Sequence, residues 1–148
     1  MGVTGFIGLG HMGEGMARNL QSKGHQLAVH DVRNDPVEGL VSLGADNAGS
    51  VAGVAKASDV VVTMLPASAD VEQVVLGSGG IAENGREGQL VMDMSTVDPE
   101  TSDKLAAKLA KRGMGFVDAP VGRLASHAWA GESLFMVGAS DEDFARVK

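Results

Sequence analysis

Six residues near the start of the chain, Gly8-Leu9-Gly10-His11-Met12-Gly13, constrain its fold more than any other stretch. They follow an apolar run, Val3 to Ile7, and open a segment of helical character. In a βαβ unit each glycine of this spacing has its own job. The first permits a tight turn, the second lets backbone approach a pyrophosphate, and the third lets helix and strand pack closely. Free N–H groups and the positive end of the helix dipole then face the phosphates. A chain with 21 glycines in 148 residues can produce this pattern by chance, so the residues that follow carry the argument.

Met12 to Lys23 places Met16, Ala17 and Leu20 at helical spacing, with Gly24 as the stop signal. Gln26 to Asp31 then reads as a short strand, Leu27 and Val29 alternating against Gln26, Ala28 and His30. Its terminal carboxylate, Asp31, stands eighteen positions after Gly13, near the place where a Rossmann unit uses an acid to bind the adenosine ribose hydroxyls. That charge would repel a 2′-phosphate, which favours NAD over NADP. Arg33, two residues on, is the opposing feature, because a guanidinium there could reach a phosphate; otherwise it is a solvated loop residue.

Further along, Pro36 to Leu43 and Ser50 to Ala57 read as short helical pieces around a small-residue stretch, Gly44 to Gly49. Val60 to Leu65 is a buried, parallel-type strand stopped by Pro66, which puts Leu65 and Pro66 at the carboxyl edge of the sheet where such folds bind ligands. Asp70 to Leu76 is helix-like, and Gly77 to Gly88 reads as a glycine-rich loop whose Gly79-Gly80 pair lacks the context of a second phosphate site. Leu90 to Met94 is a strand running into Ser95-Thr96. The next helix has Asp98 as N-cap, Pro99 at its first position and Gly113 at its close, with Lys104, Lys108 and Lys111 on a solvated face. Gly115 to Ala119 and Ser133 to Val137 give a fifth and a sixth strand, and Asp141 to Lys148 begins a helix. Alternating strands and helices predict an α/β fold: a doubly wound, mainly parallel sheet with helices on both faces, in one domain.

The remaining bounds are set by charge and composition. Nineteen acidic residues against 12 Lys and Arg give a formal charge of −7, and the basic residues are scattered. No nucleic-acid surface is expected, and with 3% aromatic residues and no tyrosine the stacking platforms for single strands are absent too. An anionic ligand must then be held by local devices such as a helix N-terminus or a placed arginine. The lack of cysteine excludes a disulfide framework and thiolate metal sites, and every apolar run is interrupted before it could span a membrane. A cytoplasmic protein is expected. His25, His30 and His127 have no metal-ligand spacing, Asp118 reads as structural at a strand end, and Trp129 reads as packing or as a cover over a pocket mouth.

Several motifs together resemble the 3-hydroxyisobutyrate dehydrogenase family of β-hydroxyacid dehydrogenases, related to 6-phosphogluconate dehydrogenase. They are Gly5-Phe6-Ile7-Gly8-Leu9-Gly10-His11-Met12-Gly13, Met64-Leu65-Pro66, Asp93-Met94-Ser95-Thr96 with Pro99, and Phe116-Val117-Asp118-Ala119-Pro120-Val121. The resemblance implies a Rossmann domain that in the family precedes a helical domain completing the active site and the oligomer. It carries cofactor contacts onto Gly8, Gly10, His11, Met12, Gly13, Asp31, Leu65, Pro66 and Thr96, those of His11 and Met12 through backbone N–H groups, and substrate contacts onto Ser95, Gly122 and Arg123. Where most members follow Pro-Val with Ser-Gly-Gly, this chain has Gly122-Arg123-Leu124, which with Ala128 and Gly131 looks more like the sulfolactaldehyde reductase branch, whose arginine binds the substrate sulfonate. Arg123 suits an anion pocket but does not by itself separate sulfonate from carboxylate or phosphate, and its plain alternative is a surface arginine.

The implied reaction is hydride transfer between NAD and a small anionic β-hydroxyacid or aldehyde: sulfolactaldehyde first, then 3-hydroxyisobutyrate, succinic semialdehyde or glyoxylate. The family's proton-transfer lysine sits in a motif that nothing here matches, so no catalytic residue is assigned within the chain and it is expected beyond Lys148. A dinucleotide-binding or regulatory module without catalysis stands as the alternative.

Overall fold

The computed structural model describes residues 2–122 and 124–148. Six strands form one parallel sheet: β1 (Val3–Ile7), β2 (Gln26–His30), β3 (Asp46–Asn47), β4 (Val60–Thr63), β5 (Leu90–Asp93) and β6 (Gly115–Asp118). Their spatial order is β3-β2-β1-β4-β5-β6, so the chain winds outward in one direction from β1, returns, and winds outward in the other from β4. The predicted doubly wound α/β architecture is therefore present. Parallel strands need crossovers, and α1 (His11–Ser22), α2 (Asn34–Val41), α3 (Val51–Ala57), α4 (Ser68–Leu76), α5 (Ile81–Asn84) and α6 (Pro99–Ala110) supply them.

Helices on both faces bury the central strands from both sides, which is why these read as unbroken apolar runs rather than alternating ones. Phe6, Leu27, Val29, Val62 and Leu90 belong to one core cluster with Met16 and Ala17 of α1. Ile7, Val61 and Val91 belong to a second with Val54, Val71 and Leu105 from α3, α4 and α6. Ala28, expected on the outer side of an alternating strand, is buried for the same reason.

Register then decides where function can sit. Ile7 pairs with His30 and with Thr63, Thr63 with Asp93, and Asp93 with Asp118, so the carboxyl ends of all five long strands finish on one edge. The order reverses between β1 and β4, the place where a crevice must open above such a sheet.

The structure corrects four local expectations. Within the small-residue stretch Gly44 to Gly49 lies β3, a two-residue edge strand that exists through its pairing with Ala28 and Val29. Within the glycine-rich loop, Ile81–Asn84 makes a short helix because Ile81 and Ala82 find the second core cluster. The predicted sixth strand, Ser133 to Val137, shrinks to β8 (Leu134–Phe135), which pairs antiparallel with β7 (Val121–Gly122) in a separate two-stranded ribbon. Between those two strands an unforeseen helix, α7 (Ala125–Ala130), closes on Gly131 at φ 75°. The last helix is α8 (Asp141–Val147). Among the described residues no helix is long and apolar enough to cross a membrane.

Candidate functional site

The turn after β1 is built by steric necessity. Gly8 sits at φ +97°, and a Cβ there would lie 2.2 Å from the Met64 carbonyl oxygen on the neighbouring strand's exit. Gly13 has no such backbone demand, but a Cβ on it would meet the Gly8 oxygen at 2.0 Å, so helix and turn touch through it. Gly10 differs from both. Its φ of −65° is open to any residue, and a Cβ there meets no protein atom within 4 Å. The protein's own packing leaves that space clear.

Gly10 is the N-cap of α1, and the first helical bond runs from Glu14 N–H to the Gly10 oxygen at 2.8 Å. The N–H groups of His11, Met12 and Gly13 therefore have no acceptor inside the helix and point out of its positive end. They open on a cleft of about 670 Å³, lined by Gly8, Gly10, His11, Met12 and Gly13 on one side and by Met64, Leu65 and Pro66 on the other. Asp70, Gln73 and Val74 of α4 close its flank, and His30, Asp31, Val32 and Arg33 its far end. This is the switch point between β1 and β4.

Asp31 ties that far end to the turn. Its Oδ2 accepts the Leu9 N–H at 2.7 Å, and its Oδ1 accepts the Arg33 N–H at 2.8 Å and Arg33 Nε at 3.3 Å. Burial pushes the carboxyl pKa up, but the two backbone N–H bonds and the Arg33 charge together outweigh it and hold Asp31 below the ordinary carboxylate value. Arg33 also reaches back with Nη2 to the Leu9 oxygen at 2.9 Å, while its side chain remains 61% exposed. Beside it Val32 is 93% exposed, an apolar side chain on the cleft wall.

A second network stands behind the Leu65 wall. Asp93, fully buried at the end of β5, accepts Thr63 Oγ1 at 2.8 Å and the Ser95 N–H at 3.1 Å on Oδ1. Ser95 Oγ in turn accepts the Leu65 N–H at 2.8 Å. Asp93 Oδ2 is buried without a partner. Desolvation raises the Asp93 pKa most strongly; hydrogen bonds from Ser95 and Thr63 oppose it, and the nearby Asp118 charge adds to it. Asp118 is itself raised, by burial and then by Asp103, and its main chain exchanges two hydrogen bonds with Gly138, as suits a structural strand end.

Of the residues predicted to contact a cofactor, the fold gathers Gly8, Gly10, His11, Met12, Gly13, Asp31, Leu65 and Pro66 around one cleft. Thr96 is exposed beyond that lining. Ser95, predicted at the substrate, is fully buried with its hydroxyl on the Leu65 amide, so in this conformation it shapes the Leu65-Pro66 exit. Gly122 is half-buried in the β7–β8 ribbon, paired with Leu134, and Arg123 lies outside the described residues. Asp98 sits at the N-cap of α6 without capping it. Its carboxylate accepts the Ser68 hydroxyl at 3.3 Å, and its N–H donates to the same oxygen at 3.0 Å. Among the described residues no cluster of His, Asp and Glu could hold a metal ion. Sequence reasoning missed Leu9, Val32, Asp70 and Gln73. Only Val32 carried a signal, an apolar residue standing alone after the strand-end acid.

Relatives share this chain's sequence over nearly all its length. A probable mitochondrial 3-hydroxyisobutyrate dehydrogenase from Dictyostelium discoideum is 46% identical over 146 residues, covering 99% of this chain and 46% of the relative. A 3-sulfolactaldehyde reductase from Escherichia coli K12 is 41% identical over 147 residues, covering 99% and 49%. The chain thus spans about half the length of the relatives it matches. Among solved structures, Mycobacterium tuberculosis 3-hydroxyisobutyrate dehydrogenase with L-serine superposes with a TM-score of 0.92 at 29% identity, over 100% of this chain and 50% of that one. Residues 3–148 match the family model described as the NAD-binding domain of 6-phosphogluconate dehydrogenase, and the chain belongs to that family.

Proposed function

We propose that this chain is the dinucleotide-binding part of an oxidoreductase that transfers a hydride between NAD(H) and a small anionic β-hydroxyacid or aldehyde. The observation that carries the reading is the open space at Gly10 beside three free N–H groups, because it suits a pyrophosphate pressed against backbone. Asp31 supports NAD in particular. Two carboxylate oxygens offer about four acceptor positions, and the three bonds already made leave room on Oδ2 for a ribose hydroxyl. The exposed Arg33 favours a second reading, NADP, in which its guanidinium turns to a 2′-phosphate.

When bound, the nicotinamide supplies or takes the hydride, and the protein's task is to place it. In this reading Gly8, Gly10, His11, Met12 and Gly13 hold the pyrophosphate, Leu65 and Pro66 wall the cleft, and Thr96 borders the nicotinamide end. Asp93, Thr63 and Ser95 fix the Leu65 amide and so the shape of that wall. Arg123 and Gly122 anchor the substrate anion, with Ser95 at its border, and the proton is moved by a lysine beyond Lys148, as the family resemblance implies. The family's helical domain and its homo-oligomer, with no nucleic-acid or membrane partner and a cytoplasmic location, complete the proposal.

Calorimetry with NADH and NADPH tests the cofactor. NADH is expected to bind at least about tenfold tighter, roughly the repulsion of one added phosphate dianion by Asp31. Tighter NADPH binding overturns the role given to Asp31. Steady-state assays of the full-length protein, with sulfolactaldehyde first and 3-hydroxyisobutyrate, succinic semialdehyde and glyoxylate beside it, test the substrate. Unchanged activity in Arg123→Ala removes the anchor, and NADH binding without turnover on any of these acids supports the non-catalytic module.

A further inference from the structure

We propose that Trp129 is a positioning residue for the anion-binding turn: its indole N–H fixes the His11–Met12 peptide, whose Met12 N–H is one of the free donors at the start of α1. The proposal rests on the dinucleotide reading of the cleft above. Trp129 lies on α7, 118 positions away in sequence, and its Nε1 donates to the His11 carbonyl oxygen at 2.8 Å. His11 C=O and Met12 N–H belong to one planar peptide unit, so a bond that holds the oxygen also sets the direction of the N–H. The same bond draws electron density toward the oxygen, which makes the Met12 N–H a stronger donor to an anion.

The placement of the indole is over-determined. Its ring lies against Gly15, where an added Cβ would stand 2.7 Å from Cδ1 and 2.9 Å from Cγ. The Arg18 guanidinium, on α1 with Gly15, sits 5.5 Å from the ring centroid and is itself held by Glu14 at 2.9 Å. Asn19 Nδ2 donates to the Ala128 oxygen at 2.7 Å and to the Trp129 oxygen at 3.0 Å, satisfying carbonyls at the end of α7. Packing alone would be served by any large apolar side chain at this half-exposed position. The N–H aimed at the carbonyl of the turn is what such a side chain lacks.

The test is Trp129→Phe in the full-length protein, which keeps a ring over Gly15 and removes the donor. Loss of one hydrogen bond that orients and polarises the turn is expected to weaken NADH about three- to tenfold. ADP-ribose, which carries the pyrophosphate, should weaken by the same factor, adenosine should bind unchanged, and the melting temperature should hold within about 2 °C. Unchanged NADH affinity overturns the proposal, as does an equal loss for adenosine or a fall in melting temperature that accounts for the weakening. If the variant does not fold, the indole N–H resonance of Trp129 in the unsubstituted protein decides. It should move on addition of ADP-ribose and stay still with adenosine, and a resonance indifferent to both overturns the proposal. Failure of the unsubstituted protein to bind NADH or NADPH overturns the dinucleotide reading, and this proposal with it. Binding without any Trp129 effect overturns this proposal alone.

Discussion

Gly10→Ala separates what the fold requires from what a ligand requires. At this position the backbone angles suit alanine, and the added methyl meets no protein atom within 4 Å. Folding should then feel two small opposed terms: reduced chain entropy in the unfolded state, favourable by about 0.4–1 kcal/mol, and a weaker N-cap, unfavourable by a similar amount. The net stability change should stay within about 1 kcal/mol. Binding is another matter. The methyl enters the space where a pyrophosphate would approach the N–H groups of His11, Met12 and Gly13. Displacing the anion from two such donors, each worth about 1.5–3 kcal/mol to a charged acceptor, raises the dissociation constant for NADH by at least about a hundredfold. Thermal melts and calorimetry on the same preparation measure both quantities. Gly13→Ala is the internal control, since its Cβ would stand 2.0 Å from the Gly8 oxygen, and it should lose about 1–3 kcal/mol of stability. A Gly10→Ala protein that melts normally and binds NADH within twofold of the unsubstituted protein refutes the reasoning.

Two carboxylates at the sheet edge should show opposite pH signatures. Asp31 is held below its ordinary pKa of about 3.9, so its stabilisation is complete above that value and is lost as pH falls through the lowered folded pKa; Asp31→Asn should reduce the acid-side loss in urea midpoints. Asp93 is raised, so the folded protein takes up its proton first and gains stability as pH falls through the raised folded pKa toward the ordinary value. Asp93→Asn should abolish that gain, and a variant that keeps the parent's slope would show that another group titrates. At the start of α3, whose first residue Val51 lines the cleft, Ser50 Oγ accepts the Gly53 N–H at 2.9 Å, and Ser50→Ala should cost about 1 kcal/mol in chemical denaturation; an unchanged denaturation midpoint would show that the cap is not formed.

What could be read from the chain beforehand divides along the range of the physics. The run from Val3 through Gly13 to Asp31 was legible because a glycine turn, a helical stripe and a strand-end acid are each written in adjacent residues, and β4 was legible as an uninterrupted apolar run with a proline stop. Pro99 and Gly113 likewise bounded α6 closely. The edge strand Asp46–Asn47 left no trace, since both residues are polar and exposed and only pairing with β2 makes them a strand. The ribbon of β7 and β8 departs from the expected strand Ser133 to Val137 for the related reason that Leu134 and Phe135 have strand character but nothing local says which partner they take. At the site the same division holds. Position along the sheet edge is predictable for Asp31, while its grip on the Leu9 N–H, which joins the Arg33 contacts in holding its pKa down, spans 22 residues and belongs to the fold. Ser95 illustrates the converse. The motif places it beside a substrate edge, yet in the fold it is fully buried and its hydroxyl braces the Leu65 amide from behind the cleft wall. The residues that position the cleft, Thr63, Asp93, Ser95 and Trp129, act through atoms brought together from different strands and helices, so their work depends on register and packing that no local pattern encodes.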